Sequence, residues 1–169
     1  MGSPITDGPR PVIHLPPTQG QKLADALGIA LLVVSIAIVA ATLGNQPAKV
    51  PIHYGLSGAP DSYGPRYMAL GLPLILSAAY ALLFFLSRKP QWLNYPSKVT
   101  PQNAPRLYRL SGNLLLTIRL HLALLAIGFA IFTGYFSQGG RPLPTWLILI
   151  WLVSLVANLL ASALRMSKV

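Results

Sequence analysis

The sequence predicts an all-α integral membrane protein: a four-transmembrane-helix bundle with a short hairpin-like extracytoplasmic loop between helices 1 and 2. Three observations carry that reading. Of the 169 residues, 53% are hydrophobic and 9% charged, and mean hydropathy is +0.57, whereas soluble domains carry about 25% charged residues. Four apolar runs each approach or exceed the about 20 residues that cross a hydrocarbon core of about 30 Å. The basic residues gather at the ends of those runs, where membrane proteins place them. Net charge is +10, from 13 Lys+Arg against 3 Asp+Glu. On a soluble chain that excess would point to nucleic acid; at span ends it marks membrane flanks, so the expected partner is the lipid bilayer and not nucleic acid. With no cysteine, disulfide and thiolate chemistry are excluded.

Residues 1–22 read as a disordered cytoplasmic tail, because Met1–Gly20 holds five prolines and no helical or strand period. His14 there reads as a solvated side chain. Residues 23–169 read as the membrane domain, with spans at about 24–44, 67–86, 110–136 and 143–164. The first run carries no charge after Asp25. It exceeds the 7–15 residues typical of a signal-peptide apolar region, and three more spans follow, so it is read as an uncleaved span. Ala37 with Ala41, and Ala40 with Gly44, are spaced for close helix contact. Gly71 and Pro73 open the second span, where neighbouring groups can satisfy freed backbone. Ser87–Arg109 is a basic connector in which Trp92 and Tyr95 stand like interfacial anchors. Asn103 is the candidate N-cap of the third helix, with Pro105 in its permitted first turn. Ser137–Pro142 reads as a tight turn before the fourth span.

Charge sets the orientation. With the N-terminus inside, the inner side holds nine bases: Arg10, Lys22, Arg88, Lys89, Lys98, Arg106, Arg109, Arg165 and Lys168. The outer side holds three: Lys49, Arg66 and Arg141. The positive-inside rule then places both termini in the cytoplasm of a multi-pass cell-membrane protein. Arg119 falls within a span and is expected to snorkel to the headgroups or to hold an anionic lipid.

The loop Val50–Arg66 concentrates what chemistry the exterior has: a histidine, an acid, two tyrosines and several glycines. Val50, Ile52 and Tyr54 alternate with Pro51 and His53 as in a strand. Ser57-Gly58 and Ala59-Pro60-Asp61 form turns, and Pro65 stands where a proline would start the second helix. A two-stranded hairpin is marginal alone, so this one must lean on the outer helix ends and on the Ser137–Pro142 turn.

These residues resemble a family. Pro51-x-His53-Tyr54, Gly58-x-Pro60-Asp61-x-Tyr63-Gly64 and Arg66 look like the motif of the bacterial DUF1648 membrane proteins, a domain also found at the N-terminus of SdpI-type immunity proteins. Asn94-Tyr95-Pro96-x-Lys98-Val99-Thr100, Asn103-Ala104 and Arg106–Leu110 are similar to the segment downstream of that motif in four-span members. The resemblance implies the membrane fold and, through the SdpI-type proteins, a link to immunity. The extra C-terminal spans of those proteins are absent, and Gly55-Leu56 stands where more polar residues are common.

The candidate binding residues are therefore His53, Tyr54, Gly58, Asp61, Tyr63, Gly64 and Arg66. His53 and Asp61 meet if the hairpin folds back; together they can grip a ligand, relay a proton or simply lock the loop. Two ligands are too few for a closed zinc site, which takes about four, so no metal and no cofactor are expected. Arg66 can pair with Asp61 or lipid phosphate, or serve as a flank. Within the spans, Asn113, Thr117 and His121 share one face of the third helix, as Ser154, Asn158 and Ser162 do on the fourth. The two stripes are expected to face each other, with His121 and Asn158 at similar depth, through interhelical hydrogen bonds.

No P-loop, dinucleotide fingerprint or complete Ser/His/Asp set is present. The leading reading is a non-enzymatic protein, with no catalytic residues, recognising a ligand, envelope component or partner through the His/Asp loop. One alternative is an enzyme using His53 and Asp61 at the outer leaflet. The other is an accessory subunit of a transport or toxin-immunity system, with a membrane partner protein or homo-oligomer.

Overall fold

A computed structural model describes residues 10–136, 139 and 142–169. Its helices are α1 (Gln19–Thr42), α2 (Gly71–Leu86), α3 (Ala104–Ile131) and α4 (Thr145–Ser167), and its two strands are β1 (Lys49–Tyr54) and β2 (Pro60–Pro65). Four helical stretches, Gln19–Asn45, Arg66–Leu86, Ala104–Tyr135 and Thr145–Ser167, are long and apolar enough to cross a membrane. The protein is thus mostly helical and of membrane type, as the composition requires.

α3 is the central helix: α1 and α2 both pack on it more extensively than on each other. The buried residues of α1 are Gly28, Leu32, Ser35 and Val39, spaced to share one helical face. Leu32 clusters with Ala123 and Ala126 of α3, and Val39 with Ala130, the three alanines being fully buried. Small side chains let helix backbones approach where lipid offers no hydrophobic drive. The expected contact residues were different. Ala37, Ala40 and Ala41 lie on the exposed face of α1, and Gly44 is exposed in the turn after it; small-residue spacing names a face only when the buried face is already known.

α4 packs chiefly on α3, and no residue in its most apolar stretch is buried within the chain. Three helices therefore form the compact part of the bundle, with the fourth laid along one of them. Lipid tails are as apolar as leucine, so this exposed surface is in keeping with a membrane helix.

The core forms three layers. Leu32, Leu76, Tyr80, Ala123 and Ala126 fill the middle. Val39, Val50, Ala69 and Ala130 fill the hairpin end. Ala104, Leu107, Tyr108 and Met166 fill the connector end, with Ile13 and Leu15 packed against them.

The last contact overturns part of the tail expectation. Over its described residues the N-terminal segment is ordered. Arg10 donates to the Gln91 and Leu93 carbonyls, Tyr108 to the Pro11 carbonyl (2.9 Å), and Arg109 to the Pro16 carbonyl (3.0 Å). Residues 1–9 lie outside the described residues. Helix α1 begins at Gln19, earlier than the apolar run suggests, because Thr18 and Gln21 make a reciprocal capping box. The prolines that argued for disorder instead hold an extended strap whose alternate apolar side chains find the bundle.

Two further expectations change. Asn103 precedes α3, but its side chain does not cap the helix: Oδ1 accepts from the Thr100 amide (2.8 Å) and Nδ2 donates to the Lys98 carbonyl (3.0 Å). It staples the preceding turn instead. Pro65 ends β2 rather than starting a helix; a 3-10 turn at Arg66–Leu70 comes first, and α2 begins at Gly71. Pro73 then falls in the first turn of α2, where its missing N–H leaves little unsatisfied. The Ser137–Pro142 turn lies mostly outside the described residues.

Candidate functional site

Strands β1 and β2 pair antiparallel, with Lys49 opposite Pro65 and Val50 opposite Gly64. The register slips on both sides of His53. That slip breaks the strict alternation read from the sequence: Val50 is buried, but Ile52 is exposed. At the tip the Gly55 amide donates to the Ala59 carbonyl (2.9 Å) and the Gly58 amide to the Gly55 carbonyl (2.9 Å). Gly58 adopts φ 78°, a left-handed conformation that favours glycine. A Cβ there would also collide with the Leu143 carbonyl oxygen. The Leu143 amide donates to the Gly58 carbonyl at 2.8 Å, so the tip is docked on the entry to α4. The hairpin does lean on the bundle, through Leu143.

The structure brings His53 and Asp61 together: Nδ1 lies 2.5 Å from Oδ1. A carboxylate only accepts, so Nδ1 carries the proton, and the imidazole presents Nε2 away from Asp61. Both side chains stay in water, 70% and 51% exposed. Tyr63 is 56% exposed on the same hairpin.

The other motif residues serve the hairpin itself. Tyr54 turns inward onto the Phe132 ring, edge-on at 5.6 Å. Burial, and secondarily the nearby Tyr63 phenol, push its pKa up to about 12. At Gly64 a Cβ would press on Met68 Sδ and the Ile52 side chain. Arg66 donates to the Gly44 (3.3 Å) and Gln46 (3.4 Å) carbonyls, tying β2 to the end of α1; among the described residues it pairs with no carboxylate. Of the seven motif residues, His53, Asp61, Tyr63 and Arg66 are exposed, while Tyr54 is half-buried and Gly58 and Gly64 are buried. The described residues hold no group of three or more His, Cys, Asp or Glu able to bind a metal.

The polar stripes meet in part. His121 Nδ1 donates to the Thr117 carbonyl (2.8 Å), which leaves Nε2 to accept from Ser154 Oγ on α4 (3.0 Å). Trp151 Nε1 donates to the His121 carbonyl (2.9 Å). His121 thus fastens α4 to α3. Asn158 instead donates to the Ser154 carbonyl of its own helix (2.8 Å), and Asn113 accepts from Gln21 of α1 (2.7 Å). Thr117 Oγ1 bonds back to the Asn113 carbonyl (3.0 Å). The stripe on α3 is wide enough to serve two neighbours, so it does not face α4 alone.

A second charged pair escapes the sequence reading. Arg119 does not snorkel: it is 3% exposed, and Nη2 lies 2.9 Å from Asp25 Oδ1. Tyr80 hydroxyl donates to the Asp25 backbone carbonyl (3.1 Å) or carboxylate (3.2 Å). Gly28 makes room for that tyrosine; a Cβ there would lie 2.6 Å from the hydroxyl. Arg119 also sits over the Phe84 ring at 5.0 Å and donates to Ser87 Oγ at 3.4 Å. A signal is present in the chain: an arginine deep in a span is costly unless paired, and Asp25 is the one acid inside an apolar run.

In the connector, Trp92 is 61% exposed, as an interfacial anchor would be. Tyr95 is not: its hydroxyl bonds Ser111 and the Pro90 carbonyl, both at 2.9 Å. Burial raises its pKa above the ordinary tyrosine value.

Comparison with known proteins adds a domain but no activity. The chain is 29% identical over 168 residues to an uncharacterized protein of Archaeoglobus fulgidus, covering 90% of this chain and 85% of that one. That relative is archaeal, so the similarity is not confined to bacteria. No solved structure matches. The matched descriptions carry no immunity function. The family model for DUF1648, a domain of unknown function, matches residues 30–77, which run from within α1 through the hairpin into α2. With its docked hairpin between two membrane-length helices, the chain is a membrane-type helical protein whose residues 30–77 match the DUF1648 model.

Proposed function

We propose that the protein sits in the cell membrane as a non-catalytic multi-pass protein. Its extracytoplasmic hairpin recognises a ligand, an envelope component or a partner protein. Supporting this are four membrane-length helices, an even number that would bring both termini to one side, and nine bases against three, a bias the positive-inside rule reads as cytoplasmic for that side. The observation that carries the reading is the exposed His53–Asp61 pair on a hairpin docked at Gly58. The Asp61 hydrogen bond fixes the imidazole, so His53 offers a preorganised Nε2 on a hairpin that also exposes Tyr63. Pairing with a carboxylate also orients an imidazole for base catalysis. That chemistry needs a nucleophile or a third polar group facing Nε2.

The test compares native pulldowns, read by mass spectrometry, of the wild type with His53→Ala and Asp61→Ala. All three should show the same thermal unfolding in detergent. Loss of the same co-purifying species in both variants supports recognition. Identical partners in all three would refute it. A bound metal or an activity that disappears with His53→Ala would favour the enzyme instead.

A further inference from the structure

At the other end of the bundle a cavity of about 190 Å³ opens between α1, α3, the start of the connector and the N-terminal strap. Three arginines line it: Arg88 from the connector, and Arg109 and Arg119 from α3. The one carboxylate in its lining, Asp25, is already taken by Arg119. Among the described residues Arg88 and Arg109 have no carboxylate partner. Arg88 lies over the Phe84 ring at 4.5 Å, and Arg109 spends one donor on the Pro16 carbonyl. The Arg119 side chain is 96% buried by its 4% exposure, yet its Nε has no hydrogen-bond partner. A buried donor left unpaired is costly, and three guanidiniums around one carboxylate leave a site of excess positive charge. The rest of the wall mixes apolar Ile13, Leu15, Phe84 and Leu116 with polar Gln21 and Ser87.

We propose that this cavity binds a phosphate-type anion. Guanidinium forks match phosphate oxygens in geometry and charge. The anion would sit between Arg88 and Arg109, with Arg119 in the wall beside them. The strap of residues 10–18, held by Tyr108 and Arg109, closes one side. The group arrives either as the headgroup of an anionic lipid, whose chains would follow the apolar part of the wall, or as a soluble phosphate. The inference is independent of the hairpin reading, since it uses the opposite end of the bundle.

Gly112 allows a test that keeps every charge. It lines the cavity, and a Cβ there meets nothing within 4 Å, so Gly112→Phe starts from an unobstructed Cβ and is aimed at filling the space. Native mass spectrometry of the full chain, purified with phosphatidylglycerol or phosphatidylcholine, reads lipid retention. Calorimetric titration of the detergent-solubilised chain with inorganic phosphate reads the soluble anion. Phosphatidylglycerol should be retained where phosphatidylcholine is stripped, or phosphate should bind saturably; the first result assigns a lipid source and the second a soluble one. Arg88→Gln and Arg109→Gln should each weaken the effect about tenfold. Gly112→Phe should abolish it at an unchanged unfolding temperature. Equal retention of both lipids with no phosphate binding would overturn the proposal. So would anion binding that Gly112→Phe leaves intact.

Discussion

Among the described residues the two ends of the bundle each hold one acid–base pair, and their surroundings make them opposites. At the hairpin end His53 and Asp61 are both mostly in water. At the connector end Arg119 is buried, and Asp25 is 17% exposed. A pair in water is screened and contributes about 0–1 kcal/mol. A pair in a dry interior is strongly held, and removing one partner strands a charge at about 3–5 kcal/mol. The exposed pair is thus free to serve recognition at little cost to the fold. The buried pair couples α1 to α3 and borders the arginine-lined cavity. Similar charges do different work because the medium differs.

The contrast can be broken by mutation. The largest effect belongs to Arg119→Ala, which leaves Asp25 without its partner. Unfolding in detergent should fall by about 3–5 kcal/mol, and the double variant Asp25→Leu with Arg119→Leu should lose less than that. If Arg119→Ala is silent, the buried pair is not what holds this end. Next comes Gly58→Ala, where positive φ and the Leu143 carbonyl both oppose a side chain. It should cost about 1–3 kcal/mol locally, read as faster hydrogen exchange at the Leu143 amide. His121→Ala removes the Ser154 bond and should loosen α4 by about 0.6–2 kcal/mol, seen as increased mobility of a spin label on α4. The smallest change is expected for Asp61→Asn, within about 1 kcal/mol. A loss there as large as that of Arg119→Ala would erase the distinction between the two ends.

Much of this is legible in the chain alone. Pro51-x-His53 and Gly58-x-Pro60-Asp61 are close in sequence and joined by a turn, so local geometry already implies that His53 and Asp61 can meet. The capping box Thr18–Gln21 is equally local, although the prolines around it point to disorder. Other residues resist for a physical reason. Tyr54, Gly64 and Arg66 carry the same motif as His53, yet they fasten the hairpin, because their partners Phe132, Met68 and the Gly44 carbonyl are set by docking. Arg119 looks like a snorkelling side chain until α1 is placed beside it. Helical period gives α3 a polar face, but not which neighbour Asn113 and His121 each meet.

By itself the sequence determined how many helices are long and apolar enough to span a bilayer, where the hairpin falls and which end is basic. Those properties follow from composition and short-range geometry, since an apolar run partitions into lipid without consulting the rest of the chain. Only the tertiary structure decided which face of α1 meets α3, that Asp25 neutralises Arg119, and that the proline-rich strap closes over a cavity. Those contacts join residues far apart in the chain, and they form only when close helix packing excludes both water and lipid between them.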